Sequence, residues 1–90
     1  MAKNTMDKMA KMVMLENAAG DVRYDFWTRP IYRSNIDNTV AYYQPVITLH
    51  QCHGTGSTMS HENVTVEYGN NVFKKLIAKG FHKVSKPSFA

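Results

Sequence analysis

Four residues near the middle of the chain are of the types that bind metal ions. His50, Cys52 and His53 lie within four consecutive positions, and His61 follows in the next segment. On a strand, His50 and Cys52 share a face, and the other two could come round from a loop to complete four nitrogen and sulfur ligands. The spacing matches no standard zinc finger and the chain has no second cysteine. We therefore expect no metal, with a zinc site at these four residues as the alternative.

Cys52 and His50 are also the residues that could perform nucleophilic catalysis. A catalytic thiol needs a lowered pKa and a base within reach, and the i, i+2 relation provides proximity without a working geometry. The glycines of residues 53–57 could let backbone amides approach a phosphate, but the lysine and spacing of a P-loop are absent. The seven acidic residues are scattered. The sequence therefore predicts no catalytic residue and no cofactor, and an enzyme centred on residues 50–61 is the least favoured class.

Two other groups of residues could bind macromolecules. Trp, Tyr and Arg contribute most of the binding energy at protein interfaces, and they are concentrated between residues 23 and 43. The residues predicted to contact a protein partner are Trp27, Arg29, Tyr32, Arg33, Tyr42 and Tyr43. The net charge is +4, yet residues 70–90 hold five lysines and no acidic residue. These lysines could bind nucleic acid through phosphate contacts that weaken with salt; they are Lys74, Lys75, Lys79, Lys83 and Lys86.

A small sheet is predicted to position these residues. The run Val40–Cys52 is rich in β-branched and aromatic residues and is apolar on both faces, which predicts an inner strand. Alternation from Val22 predicts an earlier strand, and the turn-forming residues 34–38 should join the two as an antiparallel hairpin. Pro30 predicts an edge or an interruption, and Pro45 predicts a bulge or bend near Gln44.

Helices are predicted on either side of this hairpin. Residues 5–19 have an apolar stripe at helical spacing, with Gly20 as the stop, and five of the six methionines lie in the first fourteen residues. A second helix is predicted at Val72–Lys79, capped by Asn70 or Asn71 and ended by Gly80 in a Schellman motif in which Phe81 packs on Leu76.

The remaining segments complete the predicted topology. Residues 53–58 are predicted to be a flexible loop, residues 63–68 a short strand with a helix starting at Ser60 as the competing interpretation, and residues 81–84 a closing strand. The fold class is therefore α+β, a small and mostly antiparallel sheet of three to four strands with an N-terminal and a C-terminal helix on one face. Residues 1–84 should form one domain and residues 85–90 a mobile tail.

Composition limits the setting and the class of function. A single cysteine excludes an internal disulfide framework and favours the cytoplasm, and no apolar run approaches the roughly 20 residues that cross a bilayer. By elimination, we expect a small accessory or regulatory factor that contacts a larger protein or complex, on the scale of phage-encoded inhibitors of host enzymes. The alternative is a nucleic-acid-binding protein without sequence specificity, and a homodimer could form through a sheet edge or the methionine-rich helix.

Overall fold

The computed structural model describes residues 12–33 and 39–88. In this part of the chain, five strands form one antiparallel sheet of order β4-β3-β2-β1-β5, with a single helix between β4 and β5. The elements are β1 (Val13–Glu16), β2 (Val22–Tyr32), β3 (Val40–His53), β4 (Gly56–Asn63), α1 (Val66–Ala78) and β5 (His82–Val84). The predicted fold of two helices on a sheet of three to four strands is therefore wrong.

Residues 13–16 of the predicted N-terminal helix form a strand and the residues that follow form a turn, while residues 1–11 lie outside the described residues. β1 pairs antiparallel with residues 23–26 of β2. The side-chain Oδ1 of Asn17 accepts hydrogen bonds from the amides of Gly20, Asp21 and Val22 at 2.9, 3.1 and 3.2 Å, which closes a tight turn. Gly20, at φ +76°, serves this turn rather than a helix end. Burial of Leu15 in the sheet outweighs the helix propensity of Met14, Leu15 and Glu16, which is a small effect per residue.

The predicted central hairpin is confirmed, because β2 and β3 pair antiparallel over most of their lengths. The turn predicted at residues 34–38 lies outside the described residues. The bulge predicted near Gln44 is not there, since Gln44 and Pro45 keep regular register and the shift falls between Ile31 and Tyr32. Pro30 sits beyond the stretch of β2 that β1 covers, so its missing N–H costs the described sheet no hydrogen bond on that side.

The predicted flexible loop at residues 53–58 is a tight turn followed by a strand. Gly54 and Thr55 connect β3 to β4, and His53 pairs with Gly56. Gly54 has φ +56° and Thr55 has no positive φ, the arrangement of a type II′ hairpin turn.

The helix begins earlier than predicted and replaces the predicted strand at residues 63–68. Thr65 is its N-cap, with extended backbone and a side-chain oxygen that accepts from the Tyr68 amide at 3.0 Å. Glu67 lies in the first turn, where a negative charge is favourable. The alternating Val64, Thr65 and Val66 suggested a strand because β-branched residues are common in sheets, but the cap decides the local structure.

The backbone hydrogen bonds at the end of the helix follow the prediction. The Phe81 amide donates to the Leu76 carbonyl and the Gly80 amide to the Ile77 carbonyl, both at 3.0 Å, with Gly80 at φ +101°. These are the two bonds of a Schellman motif. β5 then pairs antiparallel with β1, which confirms the closing strand.

Strand alternation gives the sheet two different faces. On the face that we call the helix face, Phe73 of α1 packs edge-on against Phe26 and Phe81 against Tyr24, with ring centroids 5.3 and 5.6 Å apart. The buried apolar residues of the described chain are Leu15, Val46, Ile47, Val64 and Leu76. The opposite face, which we call the polar face, also holds buried polar groups. No helix in the described part of the chain is long and apolar enough to span a membrane.

Candidate functional site

The polar face carries a row of buried polar residues that crosses the sheet. Glu16 is 2% exposed, Thr48 is 3% exposed, and Arg23 and Asp25 are each 5% exposed. Register places Glu16 opposite Arg23 and Asp25 opposite Thr48 on neighbouring strands. Because buried charges are costly unless they are paired, their hydrogen bonds decide whether the row is a structural or a chemical feature.

Asp25 lies at the centre of this row. Arg23 Nε donates to its Oδ1 at 2.9 Å, and His50 Nε2 lies 2.8 Å from its Oδ2. The side chains are only 6%, 7% and 12% exposed for Arg23, Asp25 and His50. Both carboxylate oxygens therefore have a partner, and the carboxylate fixes the orientation of one imidazole and one guanidinium across β2 and β3.

Thr48 joins three strands through one hydroxyl. Its Oγ1 accepts from Trp27 Nε1 at 2.8 Å and lies 2.8 Å from His61 Nδ1. The rings of Trp27 and His61 meet edge-on with centroids 6.2 Å apart. Thr48 thus fixes an indole of β2 and an imidazole of β4, and so links the outer strand to the centre of the sheet.

Glu16 fastens the C-terminal segment to the sheet. Its carboxylate accepts from the Ser88 amide and the Ser88 hydroxyl, both at 2.7 Å. Burial raises the pKa of Glu16, but the two Ser88 hydrogen bonds and the electrostatic influence of Arg23 and His82 outweigh burial, so the pKa falls below its ordinary value. Ser88 lies in the segment predicted to be a tail, and this residue contacts β1.

The structure does not bring together the four residues considered as the alternative zinc site. His50 contacts Asp25, His61 contacts Thr48, and His53 Nε2 lies 3.2 Å from Thr58 Oγ1. Cys52 is a half-buried free thiol. Within residues 12–33 and 39–88, no three His, Cys, Asp or Glu side chains are grouped to hold a metal ion.

The pair of Asp25 and His50 contains two elements of a catalytic triad, a base and the carboxylate that orients it. A general base must also reach a substrate proton, and these two side chains are almost completely buried. In this position the pair is suited to fixing the register of β2 against β3.

The distal half of the central hairpin is built differently. β1 covers residues 23–26 of β2, and β4 covers residues 46–53 of β3. In the described chain, residues 28–33 and 39–44 therefore pair chiefly with each other. The last hydrogen bond of this pairing is donated by the Arg33 amide to the Thr39 carbonyl at 3.1 Å. We call this two-stranded segment the ribbon. At about 3.3 Å per residue it extends the sheet by roughly 20 Å.

The ribbon carries five of the six residues predicted to contact a partner, and Trp27 lies at its base. Tyr32 is 52% exposed and Tyr42 is 56% exposed; Arg29 and Arg33 are also exposed, and Tyr43 is half-buried. The Arg29 guanidinium carbon lies 5.5 Å from the centre of the Trp27 ring, within cation–π distance. Trp27 itself is bound to Thr48, so it supports the ribbon instead of projecting from it.

The lysines predicted to bind nucleic acid lie on the C-terminal part of the fold. Lys74, Lys75 and Lys79 are exposed on and just after α1, and Lys86 is exposed after β5. Lys83 projects onto the helix face, where its Nζ lies 5.8 Å from the centre of the Phe73 ring. The structure therefore places Lys83 beside α1, but the five lysines do not lie on one strand or one helix turn.

Sequence reasoning missed that Glu16, Arg23, Asp25 and Thr48 form one buried row across the sheet. The available signal was that Arg23 and Asp25 share one face of β2 while Thr48 and His50 share one face of β3. Only the register of the two strands shows that these faces are the same one. Comparisons of this chain with protein-family models, curated proteins and solved structures give no match.

Proposed function

We propose that this protein is a non-enzymatic accessory or regulatory factor that binds a larger protein or complex through the ribbon. The observation that carries the proposal is the exposure of Tyr32 and Tyr42, each more than half exposed, next to the exposed Arg29 and Arg33. Aromatic and arginine side chains are the types most often found at the centres of protein interfaces.

The charge of the ribbon indicates the chemistry of the partner. Arg29 and Arg33 are its charged residues, and the described ribbon holds no acidic side chain. Arginine forms bidentate hydrogen bonds with carboxylates, and tyrosine presents an apolar ring with a polar tip. The partner surface that this ribbon fits therefore combines acidic side chains with an apolar patch.

The base of the ribbon adds an apolar surface. A cavity of about 390 Å³ lies between α1 and the sheet at this point, with Thr28, Pro45 and Phe73 in its wall. Val66, another wall residue, is 64% exposed. An apolar side chain of the partner could enter this cavity on the helix face, whereas Arg29 lies over the Trp27 ring on the polar face and would contact acidic groups there.

The test uses the partner captured from the native host and then purified. We expect Tyr42→Ala or Arg29→Ala to weaken its binding by at least about tenfold, the loss of about 1.4 kcal/mol typical of interface anchors. Tyr68→Ala is the matched control, because Tyr68 is 50% exposed but lies on α1. Isothermal titration calorimetry with each variant gives the dissociation constants.

The replacement Arg29→Lys sharpens the test, because lysine keeps the charge and loses the bidentate geometry. A partner that contacts Arg29 through a carboxylate should bind this variant more weakly than it binds the wild-type protein. Equal losses for the Tyr42 and Tyr68 variants would contradict the proposal.

A second candidate function is binding of nucleic acid through the C-terminal lysines. The observation in its favour is the position of Lys83 beside α1, which extends the positive charge of Lys74, Lys75 and Lys79 onto the helix face. Affinity for a single-stranded oligonucleotide should then fall steeply as the salt concentration rises. Lys74→Ala combined with Lys75→Ala should reduce the slope of log affinity against log salt by an amount that corresponds to the loss of about two phosphate contacts. If Arg29→Ala abolished binding of the oligonucleotide and the lysine variant kept it, the ribbon would instead be the nucleic-acid-binding surface.

A further inference from the structure

Within the described part of the chain, β4 is an edge strand, and it lacks several of the features that usually protect an edge. All eight of its residues are exposed, and they pair with β3 in unbroken register from Gly56 to Asn63. The strand contains no proline, no lysine and no bulge. Natural proteins use these features, among others, to prevent pairing between sheet edges. An edge that lacks all of them can accept another strand.

One hydrogen bond shows which backbone groups of β4 point outward. The Val64 amide donates to the Pro45 carbonyl at 3.0 Å, and this pair continues the β3–β4 register by one step. Hydrogen-bonded and non-bonded pairs alternate along an antiparallel ladder. Glu62, Ser60 and Thr58 therefore direct their backbone groups toward β3. The residues whose N–H and C=O groups point to the free edge are Ser57, Met59, His61 and Asn63.

We propose that a second copy of this chain pairs with β4 across a twofold axis at Ser60, so that the two sheets become one ten-stranded sheet. Antiparallel pairing about this axis places Ser57 opposite Asn63 of the second copy and Met59 opposite His61. Each of these residues directs its backbone groups outward. Counted over both copies, four pairs exchange two hydrogen bonds each, and the new ladder has eight.

This register gives more backbone hydrogen bonds than a register shifted by one residue in either direction. Pairing requires outward residues to face outward residues, so the axis can move only by whole residues along β4. An axis at Met59 or at His61 leaves three bonded pairs within the strand in place of four. The axis at His61 would also place two histidines opposite each other, which is unfavourable when they are protonated.

The side chains are compatible with the pairing. On the helix face, Ser60 meets Ser60 and Thr58 lies opposite Glu62. On the polar face, the exposed thioether of Met59, 59% exposed, meets the imidazole of His61. Glu62 is the charged residue of the strand at neutral pH, and it faces a hydroxyl instead of a second carboxylate. No pair across the axis brings together two like charges.

The test introduces charges of the same sign, and then of opposite sign, at Ser60 on the twofold axis. Wild-type protein should show a reversible monomer–dimer equilibrium in sedimentation equilibrium, in the micromolar range expected of a small interface. Ser60→Lys places two positive charges directly opposite each other, and Ser60→Glu two negative charges. Each variant alone should raise the dimer dissociation constant by about tenfold or more, and an equimolar mixture of the two should dimerise at least as well as the wild type.

Thr55→Lys is the matched control, because it adds the same charge to the β3–β4 turn outside the paired segment. It should dimerise like the wild type. Recovery in the mixture distinguishes a lost contact from a misfolded variant. A wild-type protein that stays monomeric at high micromolar concentration, or a mixture that fails to recover, would overturn the proposal.

This inference is independent of the ribbon. The ribbon variant Tyr42→Ala should leave the dimer dissociation constant unchanged, and Ser60→Lys should leave partner binding per chain intact. An edge that captured a strand from a different protein, with no self-association of the purified chain, would also contradict pairing with a second copy.

Discussion

The two halves of the central hairpin belong to the same pair of strands, yet they have different surroundings. In the proximal half, β1 and β4 extend the sheet on both sides and α1 covers one face. Its polar residues Arg23, Asp25 and Thr48 are buried and hydrogen-bonded. The distal half, the ribbon, lacks these neighbours among the described residues and exposes Tyr32 and Tyr42.

The comparison shows that residue type alone does not decide whether a side chain stabilises or binds. Trp27 and Tyr42 are both large aromatic residues of the hairpin. Trp27 lies where β4 continues the sheet, and its indole is bound to Thr48. Tyr42 lies past the end of β4 and remains exposed. Substitutions in the proximal half should therefore affect stability, and substitutions in the ribbon should affect binding.

Replacement of Asp25 should cost more stability than any other substitution. Asp25→Ala leaves the buried Arg23 and His50 without their shared carboxylate, and breaking a buried ionic pair costs about 3–5 kcal/mol. Urea unfolding followed by circular dichroism measures the change. Glu62→Ala, which removes an exposed carboxylate, should change stability by less than about 0.5 kcal/mol. A cost below about 1 kcal/mol for Asp25→Ala would show that the buried pair contributes little.

A smaller effect is expected at Trp27. Trp27→Phe keeps an aromatic ring and removes the N–H that donates to Thr48, so the free energy of unfolding should fall by about 1 kcal/mol. Chemical denaturation gives the value. The double variant with Thr48→Val tests the coupling, because the two losses should then be clearly less than additive. Additive losses would mean that this hydrogen bond is not what stabilises the base of the ribbon.

Ser88→Ala should have an effect of similar size that depends on pH. The pKa of Glu16 is lowered from 4.5 in the folded protein. The stabilising contribution of the ionised Glu16 is therefore complete at pH values above its ordinary pKa. This contribution is lost as the pH falls through the lowered pKa of Glu16 in the folded protein. Ser88→Ala should cost about 1 kcal/mol at pH 7 and much less when Glu16 is protonated. Denaturation curves at neutral and at strongly acidic pH measure both costs, and an equal cost at the two would contradict the link.

The smallest effect on stability is expected in the ribbon. Tyr42→Ala removes a side chain that is 56% exposed, so the free energy of unfolding should change by less than about 0.5 kcal/mol. The same variant should lose partner binding. A large loss of stability would show that the ribbon is part of the packed body and would remove the distinction on which its proposed role depends.

Features that depend on a few neighbouring residues could be predicted from the sequence. The hairpin of β2 with β3 follows from alternation and turn composition, and the Schellman motif at Gly80 follows from a glycine after an apolar helical pattern. The apolar character of both faces of Val40–Cys52 correctly predicted an inner strand. Thr65 followed by Glu67 was an available signal for the start of α1 that the alternation of Val64 and Val66 obscured.

The other features depend on contacts between residues that are far apart in the sequence. Residues 13–16 have helix-forming side chains, and they form a strand because β2 and β5 supply hydrogen bonds on both sides and bury Leu15. Arg23, Asp25 and His50 became one network because strand register brings together residues 25 positions apart. Intrinsic helix propensity contributes roughly a few tenths of a kcal/mol per residue. Burial and strand pairing together contribute on the order of several kcal/mol. Contacts between residues far apart in the sequence therefore determine that β1 is a strand and that the polar residues share one face. No local sequence pattern predicts these contacts.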